Sequence, residues 1–174
     1  MTYKPKFHGV IDKAPIKKRN TTSRIRRGVR LNQRDAKWLK EEAIQAYPGK
    51  RSFKALYVEK ALEELISRET LVSADFENPD DHEANEFTQD LMVYMNDDNL
   101  MRSTEIFYIE RGLHERIYGY EVKIRRFLEM HRDWFQGVPP MDRIFPGLFR
   151  FAIAAKVGKD HAIRRFNELN TEKR

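Results

Sequence analysis

Hydrophobic and polar positions alternate from Arg24 to Leu31. Ile25, Val29 and Leu31 fall on one side of an extended chain and Arg24, Arg26 and Arg30 on the other, with Arg27 interrupting the apolar side. The period then changes to that of a helix. Asn32 is an N-cap type with Asp35 three positions on, and Ala36, Leu39, Ala43 and Ile44 carry the apolar stripe to Ala46, where Tyr47-Pro48-Gly49 breaks it. Ser52 caps a second helix with Phe53, Leu56, Tyr57, Ala61, Leu62, Leu65 and Ile66 on one face. A strand with one apolar face needs a partner strand, and with no second strand pattern read in the chain the expected partner is the same strand of a second copy. The dimer core is then expected from Ile25, Val29, Leu31, Leu39, Leu56 and Leu62.

The rest of the pattern is helical. From Glu69 to Gln89 the chain is polar and acidic and is broken at Asn78-Pro79-Asp80-Asp81, which predicts an acidic linker over residues 69–86. Residues 87–174 read as a helical domain. Phe87, Leu91, Tyr94 and Met95 mark a short helix, and Ser103 is expected to cap another through Ile106, Ile109 and Leu113. A stripe follows from Ile117 to Phe135, and two helices over Phe145 to Val157 and Asp160 to Leu169 are split by Gly158. Residues 1–23 sustain no period and read as a flexible basic arm, and no internal repeat is visible. The fold expected is mostly α: a strand and two helices over residues 24–68 in an intertwined dimer, followed by a C-terminal helical domain.

Charge sharpens this outline. The net charge of +6 is divided unevenly: residues 1–54 hold 16 basic against 4 acidic side chains, residues 55–110 hold 3 against 15, and residues 111–174 hold 14 against 8. A basic block that coincides with the strand is the footprint of a polyanion binder. There is no cysteine, which excludes disulfides, thiolate metal sites and cysteine nucleophiles. The five histidines show no ligand spacing, and no phosphate-binding loop, dinucleotide fingerprint or nucleophile elbow occurs, so neither an enzyme nor a metal or cofactor is expected. No apolar run is long enough for a membrane span, and a cytoplasmic protein is expected. The stretch Ala154-Ala155-Lys156-Val157-Gly158, with Ile163 beyond, has a faint helix-turn-helix spacing; two packed helices with a basic outer face are the simpler expectation.

At Arg26-Arg27-Gly28-Val29-Arg30-Leu31-Asn32, followed after one helix by Gly49-Lys50-Arg51-Ser52-Phe53-Lys54, the chain resembles the ribbon-helix-helix DNA-binding superfamily of the Arc/MetJ/CopG type, over about 45 of 174 residues. The resemblance implies base contacts in the major groove from Arg26, Gly28 and Arg30. It also implies phosphate contacts at the start of the second helix from Ser52, Phe53 and Lys54, beside which Arg24, Lys50 and Arg51 are expected to meet phosphates. The chemistry of these groups agrees. Arginine forks suit guanine O6 and N7, a glycine between them lets the backbone approach the groove floor, and a helix N-terminus attracts phosphate. Arg27, on the apolar side, either runs past the strand edge or signals a register shifted by one residue. The function expected is sequence-specific binding of double-stranded DNA as a homodimer, in a transcriptional repressor or a plasmid-type accessory or partition factor that recruits a partner protein through residues 87–174. The alternatives are an antitoxin-like interaction protein and an RNA-binding protein.

Overall fold

The computed structural model describes residues 24–96, 103–137 and 139–173. The arm expected over residues 1–23 lies outside them. Among the described residues the chain is mostly helical. Strand β1 (Arg24–Leu31) is followed by helices α1 (Gln33–Ala46), α2 (Phe53–Ile66), the short α3 (Glu69–Ser73) and α4 (His82–Met95). Then come strand β2 (Ser103–Glu110), helix α5 (Arg111–Met130) and the long helix α6 (Ile144–Glu172).

Local chemistry accounts for most of these boundaries. The Asn32 side chain accepts from the Asp35 amide at 2.7 Å and starts α1. Gly49, at φ 73°, makes the turn into α2. Asp81 accepts from the Ala84 amide and starts α4; the Asp75 and Ala84 amides, by bonding to its charged form, hold its pKa low. Glu110 caps α5 by accepting from the Gly112 and Leu113 amides at 2.8 and 2.9 Å, and the same two bonds lower its pKa. Pro146 lies in the first turn of α6, where a missing N–H costs no helical bond.

The largest departure from the sequence reading is the partner of β1. It pairs antiparallel with β2 of the same chain, from Arg24 opposite Glu110 to Leu31 opposite Ser103. The stretch expected as a helix capped by Ser103 is therefore a strand, and the helix begins only at Arg111. Thr104, Ile106, Phe107, Tyr108 and Ile109 are β-branched or aromatic and fit a pleated surface. Both faces of this strand are apolar, which hid its period of two. With β2 in place, the requirement for a second copy disappears. Val29, Leu31, Leu39 and Leu62, expected at a dimer core, are buried in the chain's own core, and Ile25 and Leu56 are half-buried.

The strand-helix-helix arrangement occurs twice. Laying Val29 on Phe107 and Leu31 on Ile109 also lays Asn32 on Glu110, both N-caps, and Leu39 on Ile117. Starting α2 and α6 together lays Tyr57, Val58, Ala61, Leu62 and Ile66 on Leu148, Phe149, Ala152, Ile153 and Val157, all buried. Gly28 falls on Ile106, which is also its neighbour across the ribbon, so the approximate two-fold of the antiparallel ribbon at that pair exchanges the equivalent strand positions. The repeat lies in burial and topology rather than residue identity, which is why it is invisible in the sequence.

One hydrophobic cluster runs from Val29 to Val157. The acidic stretch read as a linker does not separate two cores. It contributes Leu71, Phe76 and Ala84, and Phe76 meets Phe87 and Phe127 edge to face. Gly158 does not split the last helix. The break expected from a mid-helix glycine costs only about 1 kcal/mol, and packing of α6 on α1, α2 and α4 carries the helix through it. The N-terminal part of α6 comes so close to α4 that a Cβ on Gly147 would stand 2.9 Å from Met95 Cγ.

Candidate nucleic-acid interface

The two strands form a ribbon with unlike faces. Inward go Val29, Leu31, Phe107 and Ile109, each buried, and such burial contributes about 1.5–3 kcal/mol per large apolar side chain. Outward go Arg24, Arg26, Gly28 and Arg30 from β1, opposite Glu110, Tyr108, Ile106 and Thr104 from β2, and all eight positions are exposed. Ile106 is 47% and Tyr108 53% exposed, unusual for large apolar residues at the centre of a sheet face.

The register read from the β1 pattern is the observed one, and Arg27 does point inward. Its guanidinium lies over the Phe145 ring, 4.7 Å from the centroid, and its Nε donates to His114 Nε2 at 2.8 Å. An accepting Nε2 requires an unprotonated ring nitrogen. Burial, and then the neighbouring Arg27 charge, push the His114 pKa below its ordinary value, which favours that state. At the equivalent inward position of β2, Glu105 is met by Lys54 of α2 at 3.2 Å. Each half thus places one charge on the inner side of the ribbon and answers it from the second helix of the other half.

The residues expected to touch DNA divide into three groups. Arg26 and Arg30 stand on the outer face with Gly28 between them, and a Cβ added to Gly28 would meet nothing within 4 Å. Arg26 has no ion pair or hydrogen bond to another described residue, and Tyr108 is its cross-strand neighbour. Lys50, Arg51 and Ser52 are exposed at the turn into α2, where Ser52 makes no side-chain cap and the first amides, as at any helix start, have no partner within the helix. Arg24, Lys54 and Phe53 are engaged inside the chain instead. Arg24 pairs with Glu59 and donates to the Tyr108 carbonyl at 2.9 Å, Lys54 pairs with Glu105, and Phe53 is half-buried against the core.

Sequence reasoning missed Thr104, Ile106 and Tyr108, which complete the outer face. Their signal was the β-branched and aromatic run itself. It also missed Arg150, a buried arginine of α6 that donates to the Arg30 carbonyl at 2.8 Å and to the Tyr94 carbonyl at 3.0 Å, fastening β1 to α4 and α6. Among the described residues no group of three His, Cys, Asp or Glu side chains is placed to hold a metal ion, and no helix is long and apolar enough to cross a membrane. Neither the family models, nor the curated proteins, nor the solved structures compared with the chain include a match.

Proposed function

We propose that this chain binds double-stranded DNA by laying the outer face of its β1–β2 ribbon in the major groove, with the Lys50-Arg51-Ser52 turn at the phosphates. The observation that carries the reading is the exposed two-stranded antiparallel ribbon bearing Arg26 and Arg30 around a glycine. A ribbon of this width fits the major groove of B-DNA, and arginine forks there reach guanine edges. One chain supplies both strands and both helix pairs of a ribbon-helix-helix unit, so the reading head is a single chain. Regulatory repression, or an accessory role on plasmid DNA, is the biological setting that such a head suits.

The test is the affinity of the full chain for duplex DNA across a salt series, for the native protein and for Arg26→Ala/Arg30→Ala. Native affinity should fall steeply with salt, because each phosphate neutralised releases counterions. The double variant should stay folded and lose specific affinity by about tenfold or more. Unchanged duplex affinity in that variant would remove the ribbon from the interface.

A second reading concerns the far end of α6. Ile163, Phe166 and Leu169 are exposed there, Phe166 to 65%, and an open groove of about 680 Å³ runs between α6 and the end of α1. A protein partner held on this end while the ribbon faces DNA fits the recruiting role expected of the C-terminal half.

A further inference from the structure

In a ribbon made by two identical chains, the two outer faces are copies. Here they are not. The approximate two-fold of the ribbon at the Gly28–Ile106 pair sets Arg26 against Thr104 and Arg30 against Tyr108 as equivalent positions. Both guanidinium groups of these pairs stand on β1, four residues or roughly 13 Å apart, about the rise of four base pairs. Ile106 and Tyr108 stand on β2 and offer apolar and aromatic surface.

We infer that the chain recognises a non-palindromic duplex site, one chain per site, with guanines met by β1 on one side of the groove and thymine-bearing pairs met by β2 on the other. The inference rests on the DNA-binding reading above and names its substrate. Arginine is the side chain that takes guanine O6 and N7 as a pair. The thymine methyl is the apolar group a major groove presents, and it suits Ile106. Pairing within the chain is also favoured over pairing between copies. In a β1–β1 ribbon centred on Gly28, Arg26 would lie opposite a second Arg30, and like charges directly opposed destabilise a ribbon. In the observed register Arg24 faces Glu110, Arg26 faces Tyr108 and Arg30 faces Thr104.

The experiment is selection of bound duplexes from a random 20-base-pair library with the full chain, followed by sedimentation of the complex on the enriched duplex. The expected result is one motif with unlike halves, containing guanines about four base pairs apart on one DNA strand, and one chain per duplex. A palindromic motif carrying two chains would overturn the inference while leaving duplex recognition in place. Absence of any duplex affinity would overturn the DNA-binding reading itself, and affinity without an enriched motif would overturn sequence readout. Arg26→Thr/Gly28→Ile/Arg30→Tyr makes the β1 outer face a copy of the β2 face, and Gly28 has room for the added side chain. Its selected motif should lose the guanines and become two like halves; an unchanged motif would overturn the assignment. Tyr108→Ala, a milder change at an exposed position, should keep the guanines and lose about tenfold preference on the opposite side only. Equal loss at all positions would count against the inference.

Discussion

The two strand-helix-helix halves of this chain share an architecture and little else. In the first half the outer strand positions are Arg26, Gly28 and Arg30; in the second they are Thr104, Ile106 and Tyr108. At the equivalent inward position one half has Arg27, seated on Phe145 and His114, and the other has Glu105, paired with Lys54. At another equivalent pair, Glu59 in α2 binds Arg24 and the Glu110 amide, while Arg150 in α6 binds the carbonyls of Arg30 and Tyr94. The positions that define the architecture are therefore a subset of the whole. Those that agree between the halves are buried and apolar, because close packing tolerates little change of volume. Charges and outer residues are free to diverge, provided each buried charge finds a partner.

The two halves are most alike in the core. Leu31 and Ile109 are equivalent and both fully buried, so Leu31→Ala and Ile109→Ala should each cost about 2–5 kcal/mol of stability in denaturant unfolding. A near-neutral Ile109→Ala would mean that β2 is not half of the ribbon.

The next effect separates the halves. Arg150 is buried, and Arg150→Met would leave two carbonyls without their donor, at a cost of about 2–3 kcal/mol. Its counterpart change, Glu59→Gln, removes an ion pair whose arginine side chain is 40% exposed, and should cost less than about 1 kcal/mol. Thermal melting of the two variants should rank them in that order; equal losses would show that the two halves carry their charges alike.

The smallest effect is a pH dependence. The pKa of His114 is lowered in the folded state from an ordinary value of about 6.5, so the unfolded chain takes up this proton first as pH falls. The stability contributed by neutral His114 is complete above about pH 6.5 and is lost as pH falls through the lowered value. Denaturant midpoints between pH 8 and pH 5 should decline more for the native chain than for His114→Phe. Parallel declines would show that the Arg27 seat does not depend on a neutral imidazole.

Much of the first half was legible because local chemistry states it. The alternation from Arg24 to Leu31, the Asn32 cap, the Pro48-Gly49 break and the apolar stripe of α2 all have the boundaries or register that their residues imply. The second half was less legible. Ile106, Phe107, Tyr108 and Ile109 are apolar on both faces, so period and propensity pointed in different directions at Ser103 to Leu113. The candidate site was half visible for the same reason: Arg26, Gly28 and Arg30 declared themselves by alternation, whereas Ile106 and Tyr108 matter only once β2 lies beside β1.

Sequence alone determined that a basic strand with one apolar face exists, that an Asn32-capped helix and a second helix follow it, and that the strand must pair. The tertiary structure decided with what. Backbone N–H and C=O groups are the same at every residue and carry no address, so a partner strand is chosen by side-chain packing on the ribbon's inner face and by the path of the intervening chain. Here α3, α4 and the buried Leu71 and Phe76 bring Ser103–Glu110 back to β1. The intended partner is thus the chain's own second half, a fact distributed over a whole core and contained in no single motif.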